Sequence, residues 1–148
     1  VGNPVGAMTG LASQQFAKDP RARLIQVHIG KETCQVGLAL NVDIALVSGK
    51  AADTWANADD GEVFEELDST FQPKPGASDW RSSMAQDVVK GRHSEIEYMN
   101  GYTVRRGREL GIATPVSAAI VDVVMQIDAG TLTPDPSNVE LVLSMAGL

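Results

Sequence analysis

Between Val116 and Ile127 the apolar residues Val116, Ala119, Ile120, Val123, Val124 and Ile127 recur at i, i+3, i+4, i+7, i+8 and i+11. That spacing gathers them on one stripe of an α-helix and would scatter them over both faces of a strand. A stripe this regular must be covered by other apolar surface, and the rest of the chain reads as helices able to provide it. Asp19 caps a long helix, with Pro20 at the first position, where its missing N–H is no loss. Along it Ile25, Ile29, Glu32, Val36 and Leu40 share one stripe, and Asn41, which tolerates the left-handed conformation, is a sensible stop. Further helices are read at 5–16, 50–57, 60–71 (capped by Asp59 or Asp60) and 95–110. Another runs from a cap at Ser78 or Asp79 to Gly91, and a short one follows Asp135-Pro136. Thr114 is read as the cap of the 116–127 helix, with Pro115 at its first position and Gly130 at its end. Trp55, Phe64, Leu67 and Phe71 fall at helical spacing and read as core. No segment alternates like a strand, and no turn dipeptide joins two β-rich runs. The predicted fold class is all-α, a compact single domain over 1–148 with about seven helices.

Charge and composition exclude several functions. The net charge is −7, and Asp43, Asp53, Asp59, Asp60, Glu62, Glu65, Glu66 and Asp68 face only Lys50 in sequence. A nucleic-acid footprint needs the opposite sign. Asp59-Asp60 lacks the alternating ligand pattern of a calcium loop, so a solvated face is expected and no metal site. No apolar run approaches the roughly 18 residues of a membrane span. The single cysteine, Cys34, excludes an intrachain disulfide and fits a reducing, cytoplasmic setting, with a packing role. Arg105, Arg106 and Arg108 read as a solvent face, with a cofactor phosphate contact as the alternative.

The densest polar stretch is Ser82-Ser83-Met84-Ala85-Gln86-Asp87, continuing through Gly91-Arg92-His93-Ser94-Glu95-Ile96-Glu97 to Asn100-Gly101. Ser94 with Glu97 has the form of a capping box, which would place Glu95 in the first turn of a helix, where the helix end favours a carboxylate. Gly101 inside that helix costs about 1 kcal/mol against alanine and implies a close approach by backbone or ligand. Two readings stay open on these residues alone. They are two caps and a turn, or the Ser83 hydroxyl and the Glu95 carboxylate converge on a small polar ligand.

The string SSMAQDVVKGRHSEIEYMNGYTVRRGRELGIATP resembles the substrate-domain signature of the ketopantoate reductase (2-dehydropantoate 2-reductase) family. That signature runs S-x-x-Q-D, G-R-x-[ST]-E-I-[DE], N-G and G-[IV]-x-[TV]-P, and its spacings are intact here. The resemblance is firm over 78–115 and weaker over 1–41; the segment 43–72 and the tail after Gly130 match weakly. It implies the all-helical fold of the C-terminal domain in the 6-phosphogluconate dehydrogenase-like superfamily. It also implies a parent enzyme that transfers hydride from NADPH to a small 2-keto acid, 2-dehydropantoate first among candidates. On this resemblance Glu95 matches the active-site glutamate, which would bond a substrate hydroxyl or orient a catalytic lysine. Ser83 and Asn3 match substrate-binding residues, and Glu32 matches a family glutamate on the long helix. The family series K-x3-N-x3-N-P is matched only by Asn3-Pro4, so its general-acid lysine falls before Val1.

The chain contains no G-x-G-x-x-G and no parallel sheet to carry one. The N-terminal Rossmann domain is therefore expected on missing upstream sequence, in keeping with a start at Val1-Gly2-Asn3-Pro4. By itself the chain is expected to bind no cofactor and to be catalytically silent. A homodimer is expected, through the 116–127 face or the 20–40 helix. Two other classes remain: a non-catalytic helical interaction module whose acidic face binds a basic partner, and the helical subunit of a split reductase.

Overall fold

The longest helix lies between two separate cores, which accounts for its apolar residues spreading beyond one stripe. The computed structural model describes residues 1–59 and 61–148. Among them are nine helices and no strand: α1 Gly2–Thr9, α2 Ser13–Phe16, α3 Pro20–Ala39, α4 Ala52–Ala56, α5 Gly61–Phe71, α6 Ser83–Val89, α7 Asn100–Leu110, α8 Pro115–Asp128 and α9 Asn138–Ala146. The all-α class is as read from the sequence; the count exceeds about seven partly because 5–16 is not one helix. Gly10, at φ 69°, ends α1 in the left-handed conformation, and α2 starts afresh at Ser13.

The 116–127 stripe is buried throughout and belongs to the larger core, with Val5 and Met8 of α1, Ile25 and Ile29 of α3, and Val139 and Val142 of α9. It is consumed inside the domain and offers no dimer face. The smaller core joins Val27 and Cys34 of α3 to Ala52, Trp55, Ala58 and Leu67, with Phe64 and Phe71 packed against it. Gly30 makes that join close. A Cβ there would lie 2.5 Å from the Trp55 ring, so only glycine lets the indole rest on α3. The Trp55 Nε1–H donates to the Val47 carbonyl at 3.0 Å.

Asp19 caps α3 as expected, accepting from the Arg21 N–H at 2.9 Å, and Asn41 follows its end at φ 55°. The acidic segment is not left to Lys50 alone. Arg23 Nε of α3 meets Asp68 at 2.8 Å, Lys31 of α3 pairs with Asp59, and Lys50 pairs with Glu66. Two of the three cations come from α3, so these three acids help dock α5 and its approach, while Asp43, Asp53, Glu62 and Glu65 are exposed and make a solvated face. The alternative helix cap, Asp60, lies outside the described residues.

Candidate functional site

Ser82, not Ser78 or Asp79, caps α6. Its Oγ accepts from the Ala85 N–H at 3.2 Å and donates to the Asn3 carbonyl at 3.4 Å. Asp79 is used elsewhere, accepting from the Gln14 N–H at 2.8 Å. The buried Ser82 thus ties the start of α6 to α1, and Ser83, the next residue, is exposed at the first position of α6. Asn3 is half-buried on α1. Of the residues singled out from the sequence, Asn3 lies on α1 and Ser83 on α6, and the contact that joins the two helices there is made by Ser82.

Glu95 stands on a different segment, and its setting departs from expectation. The helix after Gly91 starts at Asn100, five residues beyond Glu95, so Glu95 is not in a first helical turn. The expected capping box is replaced. Asp128, at the end of α8, accepts from both the Ser94 N–H at 3.0 Å and the Ser94 hydroxyl at 2.7 Å. Ser94 Oγ accepts from the Ile96 N–H at 3.4 Å, and Ile96 is fully buried. Residues 95–99 make a tight turn, with the Tyr98 and Met99 N–H groups donating to the Glu95 carbonyl. Glu95 itself is exposed on this pinned turn. Gly101 is then the second residue of α7, and a Cβ there would find ordinary spacing, 3.4 Å or more. The close approach belongs instead to Gly107, where a Cβ would lie 2.9 Å from the Ile112 carbonyl and from Thr114. Arg105 and Arg106 are engaged within this region, with the Glu97 carbonyl and with Glu109.

Glu32 is partnered inside the protein. It is 3 % exposed, and its two oxygens accept from the Val116 N–H at 2.8 Å and the Ser117 N–H at 2.7 Å. A carboxylate on α3 thus caps α8, a task expected of Thr114, whose side chain makes no cap bond. Burial pushes the Glu32 carboxyl above its ordinary range, and the helix N–H groups oppose that shift.

A cavity of about 290 Å³ opens beside Asn3, between α1, α2, α3 and the loop after α5. Gln26, Lys74 and Trp80 line it, and neither Ser83 nor Glu95 does. Sequence reasoning passed over Gln26. Its signal was a polar residue spaced by four among Ala22, Gly30 and Cys34, all buried. Among the described residues no group of three or more His, Cys, Asp or Glu is placed to hold a metal ion. Among the described residues no helix is long and apolar enough to cross a membrane.

A family model described as ketopantoate reductase PanE/ApbA C terminal matches residues 1–128. The 2-dehydropantoate 2-reductase of Vibrio cholerae is 38% identical over 76 residues, 51% of this chain and 26% of that protein. That of Aquifex aeolicus is 28% identical over 124 residues, 82% of this chain and 35% of that protein. The chain therefore spans about a third or less of the length of these relatives. No solved structure matches it.

Proposed function

The chain belongs to the ketopantoate reductase C-terminal family, and on that premise we propose that it is the substrate-binding and dimerisation domain of an NADPH-dependent 2-keto acid reductase acting on 2-dehydropantoate in the cytoplasm. The observation that supports this reading is the junction of α1 and α6, where the Ser82 hydroxyl, next to Ser83, bonds the Asn3 carbonyl. Asn3 and Ser83 hold substrate oxygens there by hydrogen bonds. Glu95, fixed on its turn by Asp128, accepts from a substrate hydroxyl or orients the general-acid lysine of the parent enzyme. NADPH supplies the hydride when bound. Among the described residues there is no strand-to-helix turn to cradle its pyrophosphate, so its site is assigned to a dinucleotide domain elsewhere in the parent.

The alternative, an acidic interaction module, keeps only part of its face: Asp59, Glu66 and Asp68 are engaged with Lys31, Lys50 and Arg23, while Asp43, Asp53, Glu62 and Glu65 stay exposed. The proposed homodimer uses surface other than the 116–127 stripe. Light scattering at tens of micromolar tests it, and a monodisperse monomer would count against it.

Calorimetric titration of the chain with 2-dehydropantoate tests the substrate assignment. Binding is expected to weaken by about tenfold in Ser83→Ala, the loss of one hydrogen bond to a charged or strongly polar partner. Binding that is indifferent to both Ser83→Ala and Glu95→Gln would refute the assignment.

A further inference from the structure

Asp128 is badly placed for the stability of its own helix. It is the last residue of α8, where the partial negative charge of the helix end disfavours a carboxylate, and no basic residue stands in that last turn. It makes no ion pair among the described residues. Its Oδ1 is buried without a hydrogen-bond partner, which is a further cost. What offsets these costs comes through Oδ2, which accepts from the Ser94 N–H at 3.0 Å and from the Ser94 hydroxyl at 2.7 Å.

Those two bonds hold the stretch that leads into Glu95. Gly91, Arg92 and His93 are exposed, Ser94 is half-buried, and Ile96 is the first core residue after α6. Clefts of about 350 and 270 Å³ flank the contact, and Asp128 and Ala129 line both, so close packing does little to fix it. Glu95 lies between Ser94, pinned by Asp128, and Ile96, pinned by burial. Its own carbonyl accepts from the Tyr98 and Met99 N–H groups at 3.0 and 3.1 Å. The backbone of Glu95 is therefore held on both sides while its side chain stays exposed. A residue that costs its own helix and serves another segment is a local inconsistency of the kind found where function, rather than stability, sets the choice.

We propose that Asp128 is a positioning residue for the reaction: it acts through Ser94 to aim the Glu95 carboxylate and makes no contact with substrate itself. The proposal rests on the active-site role given to Glu95 above and adds the device that directs it. A misplacement of about 1 Å in a catalytic group can cost about 10²-fold in rate, so slack in this turn is felt at the site. Geometry rather than charge is what Asp128 supplies. Because only Oδ2 is used, an asparagine with its carbonyl oxygen in that place keeps both bonds, its NH2 taking the Oδ1 position.

The test is kcat/KM for NADPH oxidation by the proposed parent enzyme with 2-dehydropantoate, measured in two backgrounds. Asp128→Ala is expected to lower kcat/KM by about tenfold when Glu95 is present and by less than about twofold in Glu95→Gln. A residue that acts only through Glu95 falls silent once that carboxylate is gone, whereas a role in fold stability alone costs the same in both. Ser94→Ala removes the hydroxyl bond from the other side and is expected to follow the same pattern; it decides the matter if Asp128→Ala does not fold. Asp128→Asn is expected to stay within about threefold of the unsubstituted enzyme. Losses that persist in Glu95→Gln, or full rates in both Asp128→Ala and Ser94→Ala, overturn the positioning role and leave the role of Glu95 standing. Asp128→Asn as slow as Asp128→Ala overturns it too, because charge and not geometry would be the cause. A parent that reduces no 2-keto acid, or a Glu95→Gln enzyme at full rate, overturns the reading of Glu95 and the proposal with it.

Discussion

Glu32 and Cys34 lie two residues apart on α3, and burial acts on both. Removing the Glu32 carboxylate in Glu32→Ala strands the Val116 and Ser117 N–H groups in the interior. We expect a loss of about 2–4 kcal/mol in urea unfolding, the scale of a charged hydrogen-bond acceptor withdrawn from buried donors. A loss under half a kilocalorie, in effect none, would mean that water or another group replaces it. Burial pushes the Cys34 thiol up to about 11, so it stays protonated and inert at neutral pH. A bulky disulfide reagent is expected to react only as fast as the protein opens. The sign of its pH effect follows from linkage. A folded value above the ordinary 9.0 means that the neutral thiol's contribution is complete below pH 9.0 and fades as pH rises through about 11. Cys34→Ala should remove that alkaline slope from the unfolding free energy. At Gly30 the steric limit dominates. Gly30→Ala gains about 1 kcal/mol of helix propensity but drives a methyl into Trp55, and overpacking of this kind costs about 1–3 kcal/mol. Net destabilisation with altered Trp55 fluorescence is the expected outcome.

At the scale of elements, the turn that carries Glu95 depends on the far end of α8. Asp128 accepts two bonds from Ser94, and nothing else in the segment 92–95 reaches the core before Ile96. Asp128→Ala is expected to raise hydrogen exchange at the Ser94 and Ile96 amides while α8 stays protected, with a stability loss of about 1–2 kcal/mol. Unchanged exchange at those amides would show that Ile96 alone holds the turn. The same comparison shows what a sequence can disclose. The α8 stripe, the Asp19-Pro20 start of α3 and its stop at Asn41 were legible because the deciding interactions lie within a few residues. The cap of α8 was not, because its acceptor is 84 residues away on α3. Ser94 with Glu97 had the form of a capping box, but the tertiary partner Asp128 took the serine first, and the helix began five residues later. Acidic residues that faced one lysine in sequence met Arg23 and Lys31 only once α3 and α5 were folded together.

At the scale of the molecule, two cores share α3, and the candidate site lies where the ends of α1 and α6 meet above the larger one. Asn3 and Ser83 were named through the family signature, and it is Ser82, next to Ser83, that bonds the Asn3 carbonyl. The signature also named Glu95, which is exposed on the turn that Asp128 holds through Ser94. Gln26 and Lys74 escaped notice because they come together only through the cavity, from α3 and from a loop some fifty residues later in the chain. The most direct test is NADPH oxidation by the proposed parent enzyme, this chain joined to the dinucleotide-binding domain the proposal requires, with 2-dehydropantoate as substrate. Oxidation that depends on the keto acid and falls by about 10²–10⁴-fold in Glu95→Gln is the predicted result, the scale of a lost acid–base or orienting group. A folded parent that binds NADPH yet reduces no 2-keto acid, or one that Glu95→Gln leaves at full rate, would contradict it.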